Sequence, residues 1–402
     1  MNIFIIPSWY PSAAHPITGI FFREQAKALG VQYPSANIGI SLWGQNDERL
    51  LLWAAEPANS LRKIRNRKQI NPGELYVTER NVVEYFCPAF TWTSKILKGN
   101  FPNIIKANLY NLNRFEQCFG KVDIIHAQVG FPAGYIANRL ATIHKVPYVI
   151  TEQMTPFPHL FLRSGNGKLV PKLSIAYAGA AKNIAISRAL NESMQAAEIK
   201  NRCVIPNLVD DAFFNDIDPK PNRNFTFFCL GRMVSQKGVD ILLKAVALMK
   251  SSVRLRIGGD GEEILDYKAM AGELGIEDRV EWLGELDRTR ALREFQHCDA
   301  FVLASRHESM GVVFAEALAC GKPVIATRCG GPEEFTNRRN GYVVAPGDIC
   351  ALANAMENMV TNISLFDARQ ISAWCKRRFG AREVCAQIMK VYEQVIDSYT
   401  GK

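Results

Sequence analysis

The stretch SRHESMGVVFAEALACGKPV, residues 305–324, decides how the rest of the chain is read. Short apolar runs at residues 300–304 and 323–327 flank it, so it reads as a helix between two buried strands. Ser309 is placed to cap a helix that begins near Gly311, and Gly321 is its natural stop. The first N–H groups of that helix, at Gly311, Val312 and Val313, then form a site for an anion. Glu308 precedes the helix and reaches over its mouth. Glu316 sits more than one turn in on an otherwise apolar helix, where an ionised carboxylate is costly without hydrogen-bond donors. The vicinal hydroxyls of a ribose would supply two.

Working outward, the same alternation continues in both directions. Residues 2–6, 37–42, 122–126, 148–151 and 183–187 read as strands, with helices over 21–29, 132–143 and 188–197. In the second half, 225–230, 253–257, 279–283, 300–304 and 323–327 read as strands. The helices there are 239–249, 263–274, 287–297 and 312–320. Such alternation implies parallel sheets, and two sets of it imply an α/β chain of two Rossmann-like, doubly wound domains. A length of 402 residues agrees. The boundary falls at Val204-Ile205-Pro206-Asn207, giving domains 1–205 and 206–380 and a terminal helical segment 381–402. Residues 44–71 have no clean period and read as an insertion.

With 48% hydrophobic and 22% charged residues, the chain has the make-up of a soluble globular protein and not of a disordered one. No apolar run approaches the roughly 18 residues a spanning helix needs. The opening, Met1-Asn2-Ile3-Phe4-Ile5-Ile6-Pro7, is too short and lacks the basic leader of a signal peptide. Ten scattered cysteines without a C-x-x-C pair suit free thiols in a reducing cytoplasm better than disulfides or zinc. Charge is uneven: residues 1–205 hold 23 Lys+Arg against 12 Asp+Glu, and residues 206–402 hold 25 against 27. The densest basic run is Leu61-Arg62-Lys63-Ile64-Arg65-Asn66-Arg67-Lys68. It is either a solvated loop or a contact for anionic lipid headgroups, at about 1 kcal/mol per basic residue. No recognition motif for nucleic acid accompanies it. Asp216-Ile217-Asp218 spells D-x-D, but Pro219 and Pro221 mark a linker there, so no metal site is expected.

Leu230-Gly231-Arg232-Met233-Val234-Ser235-Gln236-Lys237-Gly238 directly follows a strand, at the end where open α/β sheets bind ligands. Arg232 and Lys237 can neutralise a diphosphate leaving group there without a metal ion. Two carboxylates also suggest glycoside hydrolysis. On one helix, however, Glu308 and Glu316 would stand about 12 Å apart, against roughly 5–9.5 Å in hydrolase pairs. The nearby cations and helix terminus favour binding a phosphate.

The E-x7-E spacing of Glu308 and Glu316, preceded by G-R-x4-K-G, resembles glycosyltransferase family 4, retaining enzymes with the GT-B fold. Ile257-Gly258-Gly259-Asp260-Gly261, Val280-Glu281-Trp282-Leu283-Gly284 and Gly330-Gly331-Pro332-Glu333-Glu334 extend the resemblance over nearly the whole chain. It implies two domains facing a central cleft, with Arg232 and Lys237 on the donor diphosphate, Glu308 on the transferred sugar and Glu316 on the ribose. Donor contacts are implied at Gly19, Gly259, Leu283, Met310, Gly311, Val312 and Val313 as well. Gly19 lies in His15-Pro16-Ile17-Thr18-Gly19-Ile20-Phe21, which resembles the family's glycine-containing loop after strand one. Asp123-Ile124-Ile125-His126-Ala127 matches the strand carrying the family's active-site histidine, which puts His126 at a strand end near the transferred sugar. Glu152 stands where the family often has a histidine, and its role is left open. The implied activity is metal-independent, retaining transfer of a hexose-type sugar from a nucleotide-diphosphate sugar to a glycan or lipid-linked acceptor, with no cofactor. The implied location is the cytoplasm, at the inner face of the membrane if the basic half binds lipid.

Three other readings compete. An NAD-dependent oxidoreductase would need G-x-G-x-x-G after the first strand, which is missing. The second is a related sugar-phosphate enzyme, an epimerase or phosphorylase on the same fold; covalent cofactor chemistry there would need a pyridoxal-binding lysine motif, which the sequence does not show. A non-catalytic sugar-nucleotide or glycan-binding protein would be expected to have lost Arg232, Lys237, Glu308, Glu316 or His126, and all are present.

Overall fold

Strand-forming runs such as Phe4-Ile5-Ile6, Ile124-Ile125 and Phe301-Val302-Leu303 are buried on both faces, the pattern expected of parallel strands covered by helices. The computed structural model describes residues 1–12, 15, 17–45, 47, 50–52, 57–65, 75–92, 100–165, 167–214 and 224–401. These residues form two units. One comprises Met1–Ile186, Asn191–Ile205 and Cys385–Lys402; the other comprises Ser187–Leu190 and Pro206–Val384.

The first unit contains β1 (Asn2–Pro7), β2 (Asn37–Leu42), β3 (Leu51–Leu52), β4 (Leu75–Glu79), β5 (Val82–Phe86) and β6 (Thr91–Trp92). It continues with β7 (Ile124–Gln128), β8 (Tyr148–Glu152), β9 (Lys182–Ala185) and β10 (Arg202–Val204). Its main sheet runs β10-β9-β8-β7-β1-β2-β5-β4 and is parallel except for the β4–β5 edge pair. Strands β3 and β6 form a separate ribbon. The second unit contains β11 (Phe225–Leu230), β12 (Val253–Gly258), β13 (Val280–Gly284), β14 (Ala300–Leu303), β15 (Val324–Thr327) and β16 (Gly341–Val344). Its order is β13-β12-β11-β14-β15-β16, parallel throughout.

Both sheets reverse their winding once, between β1 and β7 in the first unit and between β11 and β14 in the second. The crevice at the carboxyl ends of such a strand pair is where open α/β sheets bind ligands. Helices are closed by local side chains: Asp287, Asp348 and Asp367 each accept the amide three residues on, at 2.8–3.1 Å. Within the second unit, Glu334 accepts the amides of Arg188 (3.0 Å) and Ala189 (2.8 Å).

The elements depart from the sequence reading in places. A helix at Phe101–Phe119 was not anticipated. The helix expected over 132–143 begins at Tyr135, behind a wide turn at Gly130–Gly134. The basic run lies in a helix, Pro57–Arg65, as far as Arg65; its last three residues, Asp216-Ile217-Asp218 and Pro16 lie outside the described residues. Among the described residues no helix is long and apolar enough to cross a membrane.

Glu152, whose role the sequence left open, is an anchor. Its side chain is fully buried and accepts the amides of Gly130 (2.9 Å), Gln153 (2.8 Å) and Met154 (2.7 Å) and the hydroxyl of Tyr177. These bonds tie together the chain leaving β7 and β8. Glu152→Gln turns an amide donor toward those N–H groups and is expected to lower unfolding free energy by about 2–4 kcal/mol. An unchanged midpoint in urea would rule this anchoring out.

Candidate functional site

In the second unit, the loops after β11 and β14 meet at the reversal point. Gly238, at φ +65°, lies so close to the second loop that a Cβ there would come 2.0 Å from the Ala304 carbonyl oxygen. That approach lets Lys237 Nζ donate to Glu308 Oε1 at 2.6 Å, and Ser305 Oγ donates to the same oxygen at 2.8 Å. The Lys237 side chain is 20% exposed and that of Glu308 7%, so this pair is well shielded from water. The Glu308 backbone is fixed as well: its amide donates to Cys329 O (3.1 Å), and its carbonyl accepts from Gly331 (3.2 Å). Arg232 stands on the same loop as Lys237, exposed, and its guanidinium forms no ion pair among the described residues. On the neighbouring loop Gly259, at φ +124°, packs against the Gly231 carbonyl, which a Cβ would approach to 1.8 Å.

The helix after this loop spans Val312–Ala319. The expected cap at Ser309 is not used. Gly311 takes the N-cap position instead, in the left-handed region at φ 76°, and no side chain caps the helix. Glycine is favoured there because a Cβ would press on Phe314 at 2.8 Å. Among the described residues the amides of Gly311, Val312 and Val313 have no backbone acceptor outside the helix. They are free to bind an anion. Met310 as a whole residue is 1% exposed, and its sulfur accepts the Asn207 amide at 3.2 Å, so it presents no group outward in this structure.

Glu316 lies on this helix and is 8% exposed. The structure supplies a partner that the sequence reading missed: Arg288 Nη1 donates to Glu316 Oε1 at 3.0 Å. The Arg288 guanidinium in turn lies 4.8 Å from the Phe214 ring centroid. Burial pushes the Glu316 carboxyl above its usual range, and Arg288 opposes that shift. Among the described residues Glu316 Oε2 accepts no hydrogen bond from a side chain. Leu283 and Gly284 close β13; Leu283 O accepts from Arg290 at 3.3 Å, and the Gly284 carbonyl accepts the Gly259 amide at 2.7 Å. No group of three or more His, Cys, Asp or Glu among the described residues could hold a metal ion.

In the first unit, Gly19 precedes the helix Ile20–Gln32 at φ +74°, and a Cβ there would come 2.9 Å from the Trp9 carbonyl oxygen. His126 differs from expectation. It lies at the middle of β7 and not at its carboxyl end, and it is fully buried. Nδ1 is 2.5 Å from the Tyr392 hydroxyl and Nε2 is 2.8 Å from Thr151 Oγ1. With both nitrogens occupied and no exposure, the ring cannot touch a substrate in this structure. Tyr392 was not foreseen, and its distance in sequence explains why.

Comparison with known proteins agrees with this geometry. Residues 210–370 match the family model described as Glycosyl transferases group 1. The lipopolysaccharide core biosynthesis glycosyltransferase LpsE of Rhizobium meliloti is 39% identical over 137 residues, 34% of this chain and 39% of that relative. A D-inositol 3-phosphate glycosyltransferase of Pseudarthrobacter chlorophenolicus is 26% identical over 347 residues, 77% of this chain and 80% of the relative. Among solved structures, sucrose-phosphate synthase from Thermosynechococcus elongatus superposes with a TM-score of 0.77 at 17% identity, covering 99% of both chains. Anabaena Alr3699/HepE in complex with UDP gives 0.69 at 20% identity, over 98% of this chain and 100% of that one. The fold is GT-B. The family match and the named relatives support a glycosyltransferase.

Burial pushes the His126 imidazole down to about 3 from 6.5. The unfolded chain therefore takes up a proton below about pH 6.5 that the folded ring refuses, and stability falls with pH from there toward pH 3. The slope from this ring is about 1.4 kcal/mol per pH unit. In His126→Asn, urea unfolding between pH 6.5 and 4 should lose that component; an unaltered slope would place the proton uptake elsewhere.

Proposed function

We propose that this chain is a retaining, metal-independent glycosyltransferase that moves a hexose-type sugar from a nucleotide-diphosphate sugar to a glycan or lipid-linked acceptor. The observation carrying the reading is the Lys237–Glu308 pair at the sheet's reversal point, beside a helix whose first amides have no cap. Arg232, Lys237 and the amides of Gly311, Val312 and Val313 take the diphosphate. Glu308 contacts hydroxyls of the sugar. Glu316 Oε2 accepts from a ribose hydroxyl while Oε1 stays on Arg288. Leu283, Gly284 and Gly259 flank the base. The resemblance to family 4 supports retention, and HepE, a fold relative solved with UDP, supports a nucleotide donor.

In the proposed step the bond from the sugar's anomeric carbon to the phosphate oxygen breaks as the acceptor oxygen bonds that carbon on the same face. The acceptor's proton passes to the departing phosphate oxygen. Negative charge grows on the diphosphate, where fixed cations and amides stabilise it more than in the ground state. His126 enters as a positioning residue, ordering Thr151 and Tyr392. An acceptor in polysaccharide or lipopolysaccharide assembly is in keeping with the name of LpsE.

Thermal melting with UDP, GDP and ADP sugars and their bare nucleotides tests the donor site. One nucleotide at a hundred times its Kd should stabilise the protein by about 2.7 kcal/mol, and Glu316→Ala should abolish most of that shift. Lys237→Ala should slow transfer by roughly 10²–10³, with turnover falling more than donor affinity. Equal binding and turnover in wild type and both variants would sink the assignment. A chelator should leave transfer intact; complete, reversible loss would overturn metal independence.

A further inference from the structure

The two loops that carry the Lys237–Glu308 contact are also joined through the residues beside it. The Arg306 amide donates to Gln236 O at 2.8 Å, and Gln236 Nε2 donates to His307 O at 2.9 Å. The Arg306 guanidinium then reaches back to the loop after β11. Its Nη1 donates to Ser235 O at 2.6 Å and to Asp240 Oδ1 at 2.9 Å, and Nη2 donates to Asp240 Oδ2 at 2.8 Å. Ser235 opens the short 3-10 turn Ser235–Lys237, and Asp240 lies in the first turn of the helix Val239–Leu248. Arg306, two residues before Glu308, therefore grips the chain on both sides of Lys237.

This geometry needs an arginine. A planar fork can take both oxygens of one carboxylate and still give an N–H to a carbonyl, whereas a lysine ammonium meets them as a point charge. Burial alone would raise the Asp240 carboxyl, but the hydrogen bonds from Arg306 hold it below its usual range, so the pair stays ionised at neutral pH. The Arg306 side chain is 34% exposed and that of Asp240 19%, and an ion pair so open to water adds little to folding. Its effect falls on geometry instead. A slip of about 1 Å between the loops would take the 2.6 Å contact of Lys237 with Glu308 beyond hydrogen-bond length.

We infer that Arg306 is a positioning residue: clamped to Ser235 and Asp240, it holds the Lys237 ammonium on Glu308, where the leaving diphosphate needs it, without touching the donor. The inference rests on the transferase reading for what the ammonium does; the hold on Lys237 is measurable without any transfer.

Competitive acetylation of the full chain, read by peptide mass spectrometry, reports the state of the lysine directly. In the wild type Lys237, paired and 20% exposed, should react far more slowly than the exposed Lys250. Arg306→Gln and Asp240→Asn should each speed Lys237 several-fold and leave Lys250 as it was. The double variant should react no faster than the single ones, because all three lose the same bonds. Arg306→Lys, which keeps the charge without the fork, should behave like Arg306→Gln. In transfer assays these variants should lose roughly ten- to a hundredfold in turnover with little change in donor KM, and thermal melting checks that each is folded. Labelling of Lys237 that ignores both substitutions overturns the clamp. So does a rise in donor KM that Arg306→Lys restores and Asp240→Asn does not share, because Arg306 would then act as a charge on the donor. A wild type that transfers no sugar from any donor defeats the transferase reading alone, and the labelling still decides this one.

Discussion

A lysine and a glutamate 2.6 Å apart, on loops from two adjacent strands, form the constraint around which the second unit's site is arranged. Each charge offsets the cost of burying the other: without Lys237, Glu308 Oε1 would keep, among the described residues, the Ser305 hydroxyl alone. The pair in turn needs the two loops in near contact, which is why Gly238 cannot carry a side chain against the Ala304 carbonyl. The result is a cation held in place, with spare donor capacity, before any ligand arrives. A lysine ammonium has three protons to give, so an incoming phosphate can share it without breaking the pair. Preorganisation of this kind lowers the cost of ordering long side chains on binding.

Much of this was legible in the sequence because the second unit obeys the simple rules. Its strands are short, apolar and buried on both faces, and its helices alternate with them, so the reading of 225–230 coincides with β11 and that of 312–320 runs one residue past the observed helix. The first unit was harder for a specific reason. The helix Phe101–Phe119 buries Asn108 and Asn111 beside Ile104, Leu112 and Phe115. Those asparagines bond Ser41 and the Leu42 carbonyl, so a face that is buried in space looks polar in sequence. Periodicity registers hydrophobicity and cannot see a buried amide that is held by hydrogen bonds from another element.

The site divides the same way. The cost of placing Glu316 on an apolar helix was visible, but the donor that offsets it, Arg288, lies 28 positions earlier on another helix. Ser309 carried the right chemistry for a cap, yet the chain turns through the left-handed region at Gly311, a backbone choice that a list of capping residues does not reveal. His126 was read correctly as a strand residue and incorrectly as the last one, facing a cleft; it is central in β7 and fully buried. Both units reverse their winding once, yet the loops at that point differ, charged and donor-rich after β11 and β14 but largely apolar and aromatic after β1, β2 and β7.

The partner of His126 has a consequence for the order in which the protein is made. Tyr392 belongs to the first unit's core but lies on the helix Ala381–Thr400, which leaves the ribosome after nearly all of the second unit. The first unit therefore emerges early and cannot close over the imidazole until the second has been translated. Nascent chains stopped anywhere in the second unit carry an unfinished first unit, a stage at which a chaperone can still act on it.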